Sequence, residues 1–207
     1  TPNIAAGNLF GSSAVNMLML AILDLTHRSK HILRSAAKRH ALTGSLAVLM
    51  ITLVLFFLEA DINVKLGWIG LDAIIIMAAY IVSVKIISVD TKTDKKVEEE
   101  IPEGTLKLWV GVVGFLAAAG VLLLVTPVMV RSANEIAEIT GLGTSFVGTT
   151  LVALVTSLPE VVTTISAIRI GASDMAIGNL FGSNMFNMFA IGITDLFYVD
   201  GRYLSVI

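Results

Sequence analysis

Three oxygen-bearing side chains surround a proline in the middle of an apolar stretch. Thr156 and Ser157 carry hydroxyl groups, Glu160 carries a carboxylate, and Pro159 directly precedes that carboxylate. Hard cations such as Ca²⁺ are bound by several oxygens drawn from carboxylates, carbonyls and water. Sodium is bound in a similar way where discontinuous helices expose hydroxyls and unwound carbonyls. The residue types therefore predict a cation site.

The proline is expected to add backbone oxygens to the same site. It cannot donate a backbone hydrogen bond, and its ring displaces the carbonyl four residues earlier, here that of Val155. We expect carbonyls between Ala153 and Thr156 to leave the helical ladder, and in lipid such groups must line a cavity or meet a partner. A simple kink at Pro159, or a salt bridge from Glu160 to another helix, are the alternatives. A carboxylate at bilayer depth costs roughly 2.5–3.5 kcal/mol and is a functional hypothesis by default.

This stretch belongs to a chain whose composition suits a membrane. The 207 residues are 56% hydrophobic and only 14% charged, whereas a soluble domain carries about 25% charged residues. A helix needs roughly 20 apolar residues to span a bilayer. Six stretches are predicted to do so: 4–25, 41–58, 67–88, 107–130, 143–168 and 174–198. Because they lack the alternation of barrel strands, the predicted fold class is an all-α polytopic membrane protein.

The composition also excludes several kinds of chemistry. The chain has no cysteine, so disulfides, thiolate metal sites and cysteine nucleophiles are absent. An intramembrane hydrolase is not favoured, because Ser157 has no histidine in any predicted span. His27, His31 and His40 fall in the basic loop 26–40, where we expect them to be solvated. No cofactor and no nucleic-acid partner is expected.

The distribution of Lys and Arg predicts an orientation. Eleven of the 14 lie in or beside loop 26–40, the long loop 89–107 and the connection after the fifth span. The remaining three, Lys65, Arg131 and Arg202, lie on the opposite side. Because cytoplasmic loops carry an excess of Lys and Arg, both ends of this chain are expected to face outwards.

The chain contains an internal repeat. The segment GNLFGSSAVNMLMLAILDL (7–25) matches GNLFGSNMFNMFAIGITDL (178–196) without a gap, with identical residues at 11 of 19 positions. The two copies form the first and sixth predicted spans, so they enter the membrane from opposite sides. This pattern is typical of inverted-topology repeats, which place a transporter's substrate site near the midplane where they meet.

Each copy carries polar residues at helical spacing. Ser12 and Asn16 are four residues apart, as are Ser183 and Asn187, so each pair projects from one helix face. Glycines four apart, which permit close helix approach, also recur: Gly7 and Gly11, and Gly178 and Gly182. Ordinary small-residue packing would explain either copy alone. The repeat and the broken fifth span together favour a shared site.

These residues resemble a known family. Residues 143–187 look like the second alpha-repeat of the calcium/cation antiporter superfamily, which includes the sodium/calcium exchangers, and 7–17 resemble the second helix of its first alpha-repeat. The motif TSLPE followed by GNLFGSNMFN is the specific part. The resemblance implies ten membrane helices in two inverted halves, of which six are expected here. It also implies exchange of Ca²⁺ for Na⁺ by alternating access, or in other branches use of H⁺ or of K⁺ with Na⁺.

The resemblance assigns parts of the chain to the family pattern. Residues 1–25 correspond to the second helix of the first repeat, and 26–88 to a connecting loop with two transmembrane helices. Residues 89–106 correspond to a cytoplasmic loop, 107–130 to a further transmembrane helix, and 143–198 to the second repeat. By the same resemblance the ion ligands are Thr156, Ser157, Glu160, the carbonyl of Ala153, Ser183, Asn187, Ser12 and Asn16.

Two departures from the family pattern qualify this interpretation. The first repeat's own broken helix is expected before Thr1 and two further helices after Ile207, so the chain is interpreted as a fragment whose site needs a helix outside it. Some members carry an acidic residue where this chain has Asn187, which leaves the driving ion open. The short central loop favours a prokaryotic type, in a plasma or inner membrane. A cation channel, and a fragment inert by itself, are the other hypotheses.

Overall fold

A computed structural model describes residues 2–26, 32–93, 108–199 and 201–207. The long helices are α1 (Pro2–Thr26), α2 (Ile32–Ala60), α3 (Leu71–Thr93), α4 (Leu108–Thr140) and α8 (Ser173–Phe197). Between α4 and α8 lie α5 (Thr144–Val147), a π-helical turn (Gly148–Val152), α6 (Ala153–Thr156) and α7 (Leu158–Arg169), which together we name the broken span. The smaller elements are the strands β1 (Lys65–Leu66) and β2 (Ile69–Gly70) and a 3₁₀ turn at Tyr203–Ser205.

The helices confirm a polytopic membrane fold. Within the described residues four helices contain segments long and apolar enough to cross a bilayer. These segments are Pro2–Leu25, His40–Ala60, Leu71–Asp90 and Leu108–Thr140. The broken span supplies a fifth crossing if its two arms count as one. The sixth predicted crossing, α8, has 25 residues but is interrupted by Asn, Ser and Asp side chains. The count of six therefore stays a prediction.

Two helices extend beyond the predicted membrane spans, and a short hairpin was not predicted. Helix α2 already begins at Ile32, within the predicted loop 26–40, and α4 continues ten residues past position 130. Strands were not expected, yet β1 and β2 pair antiparallel ahead of α3, with Lys65 opposite Gly70. The argument against strands applies to backbone in lipid, whereas this hairpin joins two helix ends through Gly67 at φ +70°.

Helix α8 lies at the centre of the fold. Ten of its residues are buried, and it packs against α1, α2, α3 and α7. Its apolar side joins one cluster with α2 and α3, in which Met50, Val54, Ile76 and Met188 are all fully buried. Its polar side faces α1 and α7. On this polar side Asn184 and Asn187 are buried, so neither is exposed to lipid.

Helices α1 and α8 run antiparallel. The beginning of α1 lies beside the end of α8, where the Tyr203 hydroxyl donates to the Pro2 carbonyl at 3.0 Å. The end of α1 packs against the beginning of α8, through a cluster of Leu20, Ile177 and Leu180. Because the two helices carry the two repeat copies, the antiparallel arrangement gives the copies opposite directions. This is the geometry that the inverted repeat predicts.

A polar anchor fixes the end of α8 to the α2–α3 connection. Asp195 is 2% exposed and accepts hydrogen bonds from the backbone N–H groups of Gly70 at 2.7 Å and Tyr203 at 2.6 Å. Arg202, also buried, donates to Asp72 at 2.8 Å and to Asp61 at 3.0 Å. Burial lowers the pKa of Arg202, but the hydrogen bonds and charges of Asp72 and Asp61 raise it above its usual value overall. Asp72, in the first turn of α3, is therefore half of a buried ion pair.

Helix α4 packs far more loosely than the rest. In its apolar window no residue is buried, and its buried residues are Ala133 and Ala137 near the C-terminal end. These two alanines contact a cluster containing Ile4, Val147 and Val152. Helix α4 is therefore held at one end, against the start of α1 and the broken span.

Candidate functional site

The broken span changes direction in the middle of the TSLPE motif. Its two arms, Thr144–Thr156 and Leu158–Arg169, meet at an angle of 40° with Ser157 between them. Pro159 lies in the first turn of α7, where its missing N–H is one that a helix start leaves unpaired anyway. The predicted interruption thus falls at Ser157, and Glu160 lies in the first turn of the following helix.

The expected release of the Ala153 carbonyl was wrong. That carbonyl accepts the Ser157 N–H at 3.0 Å and lies 3.3 Å from the Thr156 hydroxyl. Pro159 removes only the donor that would serve Val155, four residues earlier, whereas the donor for Ala153 is Ser157, which keeps its N–H. The carbonyl of Ala153 therefore remains within the helical ladder.

The first arm contains a π-helical turn that the sequence did not reveal. It spans Gly148–Val152 and inserts an extra residue into the helix, a feature frequent at functional sites. Thr149 and Thr150 donate their hydroxyls to carbonyls four residues earlier, each at 2.7 Å. Because such bonds compete with the backbone ladder, they are consistent with the local departure from α-helical geometry.

Two glycines of α1 allow it to lie directly against this arm. A Cβ at Gly7 would come within 2.8 Å of the Ser145 carbonyl oxygen, and a Cβ at Gly11 would overlap the Thr149 carbonyl oxygen. Gly148 does the same from the opposite side, where a Cβ would lie 2.7 Å from the Ile4 carbonyl oxygen. The close approach brings the polar side chains of α1 within hydrogen-bonding distance of the break.

Two side-chain contacts join α1 to the break. The hydroxyls of Ser12 and Ser157 lie 2.7 Å apart, with both residues buried. The Thr156 hydroxyl donates to Asn8 Oδ1 at 2.6 Å, which is shorter than its distances to the carbonyls of Val152 and Ala153. Because Thr156 has one proton to donate, a bond to Asn8 leaves its lone pairs for another ligand.

The second arm meets α8 through the carboxylate. Ser183 donates its hydroxyl to Glu160 Oε1 at 3.3 Å. The other carboxylate oxygen, Oε2, is buried and has no hydrogen-bond partner in the described structure. An unpaired buried carboxylate oxygen is costly, so a cation is the natural complement to it. One turn earlier on α8, Asn179 reaches Thr163 at 3.4 Å.

The two repeat copies contact each other through a reciprocal pair of hydrogen bonds. Asn16 donates its side-chain amide to Asn184 Oδ1 at 2.9 Å, and Asn187 donates its amide to Ser13 Oγ at 3.2 Å. In the alignment of the copies Asn16 matches Asn187 and Ser13 matches Asn184. The contacts therefore obey an internal two-fold symmetry, as isologous interfaces do.

All eight predicted site residues fall within this three-way junction. Side-chain contacts bridge α1 to the break, the break to α8, and α8 back to α1. The sequence interpretation missed Asn8, Ser13 and Asn184, which contact three of the predicted residues. Their signal was available, because Asn8 repeats at Asn179 and position 13 remains polar in the second copy.

The junction can offer a cation several oxygens but a single carboxylate. Glu160 Oε2 and Asn16 Oδ1 are buried acceptors without a hydrogen-bond partner, and Ser12, Ser157 and Ser183 add hydroxyls. Ca²⁺ takes 6–8 oxygen ligands, so these residues fit part of a coordination shell. In the described ranges no three His, Asp or Glu side chains converge on one point.

One histidine departs from its expected environment. His40 lies in α2, its side chain is 17% exposed, and its Nε2 is 3.6 Å from Asp174 Oδ1 at the start of α8. The expectation that it is solvated is therefore wrong for His40, because α2 extends through the predicted loop. His27 and His31 lie outside the described residues.

A cavity of about 420 Å³ lies between α2, α3 and α8, on the glycine face of the second repeat copy. Its lining includes His40, Tyr80, Asp174, Gly178 and Gly182. The matching glycines of the first copy are covered by the broken span, whereas a Cβ at Gly182 would meet no atom of the described residues within 4 Å. The same sequence motif is thus packed in one copy and open in the other.

Comparison with known proteins identifies relatives of the chain. Residues 110–206 match the family model described as sodium/calcium exchanger protein. A sodium/calcium exchanger, MaX1 of Methanosarcina acetivorans, is 52% identical over 63 residues, which cover 30% of this chain and 18% of that protein. The inner membrane protein YrbG of Escherichia coli is 26% identical over 193 residues, which cover 90% of this chain and 57% of that protein. No solved structure gives a significant match.

The match therefore spans less than two thirds of either relative's length. The family-model match at residues 110–206 includes the whole broken span and α8, the two elements that carry Glu160 and Ser183. The resemblance inferred from the TSLPE and GNLFGS motifs is confirmed. Residues 110–206 carry the sodium/calcium exchanger signature, and the chain is similar to proteins of the calcium/cation antiporter family.

Proposed function

We propose that the protein to which this chain belongs is a secondary antiporter that exchanges Ca²⁺ for Na⁺ across a membrane by alternating access. The ions would share the junction between α1, the broken span and α8. Because Ca²⁺ and Na⁺ would compete for one carboxylate-bearing site, both could not occupy it fully, and this competition would couple their fluxes. The name of the relative MaX1 and the buried oxygens of the junction support the proposal.

The ligands we propose come from all three sides of the junction. Glu160 supplies the charge, Ser183 and Asn187 supply oxygens from α8, and Ser12 and Asn16 supply oxygens from α1. Thr156, Ser157 and the carbonyl of Ala153 belong to the break itself. Of these groups the Ala153 carbonyl has the weakest support, because it already accepts one backbone hydrogen bond.

We further propose that a second broken helix, from outside the 207 residues, completes the site. The open glycine face of α8 supports this idea. In the first copy Gly7 and Gly11 allow close contact with the broken span, and the two-fold relation assigns an equivalent partner to Gly178 and Gly182. That partner would occupy the cavity beside His40 and would bring a second carboxylate to the cation. A prokaryotic inner membrane is the location we propose.

The observation that carries the proposal is Glu160 Oε2, a buried carboxylate oxygen with no hydrogen-bond partner in the described structure. The test is isotopic calcium uptake into vesicles that contain the full-length protein, driven by an outward Na⁺ gradient. Glu160→Gln keeps the shape and removes the charge, so uptake should fall at least tenfold, as expected for loss of a charged interaction of about 1.5–3 kcal/mol.

Glu59→Gln is the matched control, because Glu59 is exposed near the end of α2 and its variant should transport normally. Calcium uptake that is unaffected by Glu160→Gln would contradict the proposed site. Replacing the Na⁺ gradient by a H⁺ or K⁺ gradient identifies the driving ion. Currents without coupling between the two ions would instead indicate a channel.

A further inference from the structure

We propose that Ser13 and Asn184 are positioning residues, which turn the side-chain amides of Asn187 and Asn16 so that their oxygens face the transported cation. This inference rests on the proposed function and assigns a role to two residues that do not themselves bind the ion. It depends on the direction of two hydrogen bonds. For Asn187 that direction follows from what Ser13 can donate, and for Asn16 it follows from the two-fold relation between the two contacts.

Ser13 can only accept from Asn187. Its single hydroxyl proton is donated to the Leu9 carbonyl at 3.0 Å, and a hydroxyl has one proton. The group of Asn187 that lies 3.2 Å from Ser13 Oγ must therefore be the NH₂. A relay runs from the Asn187 amide through the Ser13 hydroxyl to the Leu9 carbonyl. Oδ1 of Asn187 takes no part in this relay and is left for another partner.

The symmetry-related contact orients Asn16 in the same way. Here the acceptor is Asn184 Oδ1, which receives the Asn16 NH₂ at 2.9 Å. The other end of the Asn16 amide, Oδ1, is buried and has no partner in the described structure. Asn16 is fully buried, so a free amide oxygen there is costly unless a ligand satisfies it.

The arrangement matters because an amide has two different ends. An inward oxygen attracts a cation, whereas an inward NH₂ repels it, and the two ends have nearly the same shape. Nothing in the packing of a single helix decides between them. An acceptor on the opposite helix does. Ser13 is fixed as an acceptor for Asn187 by its own bond to Leu9, and Asn184 Oδ1 is the matching acceptor for Asn16.

The test is calcium transport by the full-length protein in vesicles, with the apparent KM for Ca²⁺ and the maximal rate measured separately. Ser13→Ala removes the acceptor and frees the Asn187 amide to rotate, so the apparent KM should rise about tenfold. The maximal rate per folded molecule should change far less. Ser13→Thr keeps the hydroxyl and should restore the apparent KM.

The matched control is Ser166→Ala. Ser166 also donates to a carbonyl four residues earlier, that of Val162 at 2.7 Å, but it is exposed on α7. This variant should keep the wild-type KM. For the second contact, Asn184→Ala should raise the KM, whereas Asn184→Ser, which places the first copy's residue at the matching position, should raise it much less.

The outcomes separate the positioning role from the proposed function. If exchange depends on Glu160 but Ser13→Ala behaves like Ser166→Ala, the positioning role is wrong and the antiporter stands. If Ser13→Ala lowers only the amount of folded protein, Ser13 is merely structural. If the protein shows no Ca²⁺ exchange at all, the proposed function fails and the positioning role fails with it.

Discussion

The two repeat copies share a sequence but not an environment. In α1, Gly11 faces the broken span so closely that a Cβ would overlap the Thr149 carbonyl and lie 2.6 Å from the Ala153 Cβ. In α8, the matching Gly182 borders an open cavity. The shared glycines indicate that both faces suit a close helix partner, and the described part of the chain supplies such a partner for one of them, α1.

The polar residues differ between the copies in the same way. Ser12 meets the neutral Ser157, whereas the matching Ser183 meets the carboxylate of Glu160. Asn8 lies 2.6 Å from Thr156, whereas the matching Asn179 is 3.4 Å from Thr163 and exposed. One broken span thus serves both copies, its first arm contacting α1 and its second arm contacting α8. The comparison predicts unequal effects for equivalent substitutions.

The largest difference is expected for the glycines. In the 207-residue chain Gly11→Ala should destabilise the fold by about 3 kcal/mol, because backbone rather than a flexible side chain occupies the space of the added methyl group. Gly182→Ala should be neutral or slightly stabilising, since alanine has a helix propensity about 1 kcal/mol better than that of glycine. Thermal unfolding in detergent measures both.

The same glycine pair also tests the proposed second broken helix. In the full-length protein that helix would pack on α8, so Gly182→Ala should there become about as destabilising as Gly11→Ala. If Gly182→Ala remains harmless in the full-length protein, no helix packs closely on this face. The symmetric completion of the site would then be wrong.

An intermediate difference is expected for the serines. Ser183→Ala removes a hydrogen bond to a carboxylate, so the apparent KM for Ca²⁺ should rise about tenfold or more. Ser12→Ala removes a bond between two hydroxyls, and a rise of about threefold is expected. Vesicle uptake over a range of Ca²⁺ concentrations measures both. Equal effects of the two variants would contradict the unequal roles of the two arms.

The smallest difference is expected for the outer asparagines. Asn8→Ala deprives the Thr156 hydroxyl of its nearest acceptor and should cost about 1 kcal/mol of stability. Asn179→Ala breaks a long contact at an exposed position and should cost almost nothing. Chemical unfolding of the two variants side by side provides the measurement. A larger loss of stability for Asn179→Ala than for Asn8→Ala would contradict the stronger contact that we assign to the first arm of the broken span.

Much of this comparison could be predicted from the sequence. Identity between 7–25 and 178–196 predicted two inverted copies, and the TSLPE motif predicted where the fifth span breaks. The eight candidate ligands, among them Ser12 and Glu160, were selected as oxygen-bearing groups in apolar surroundings. They lie on helices that contact one another, and their role as ligands stays a prediction. These signals are strong because polar groups in lipid are expensive and are retained where they have partners.

The remaining features depend on tertiary packing and were not predictable. An added methyl group at Gly11 is costly because it would meet the backbone of Thr149, 138 residues away in the sequence. The same methyl group at Gly182 would meet no described residue, so it carries no such cost. The π-helical turn at Gly148–Val152 has no periodic signature. The roles of Ser13 and Asn184 depend on the register between two helices, which a single helix pattern does not fix.

The most direct test of the central claim is the position of the bound ion. Calcium anomalous diffraction from crystals of the full-length protein would locate it without reference to transport. We expect one peak about 2.3–2.6 Å from a carboxylate oxygen of Glu160, between α1 and α8. Peaks confined to other acidic residues, such as Asp174 beside the cavity or Asp61 at the polar anchor, with none at Glu160, would contradict the account.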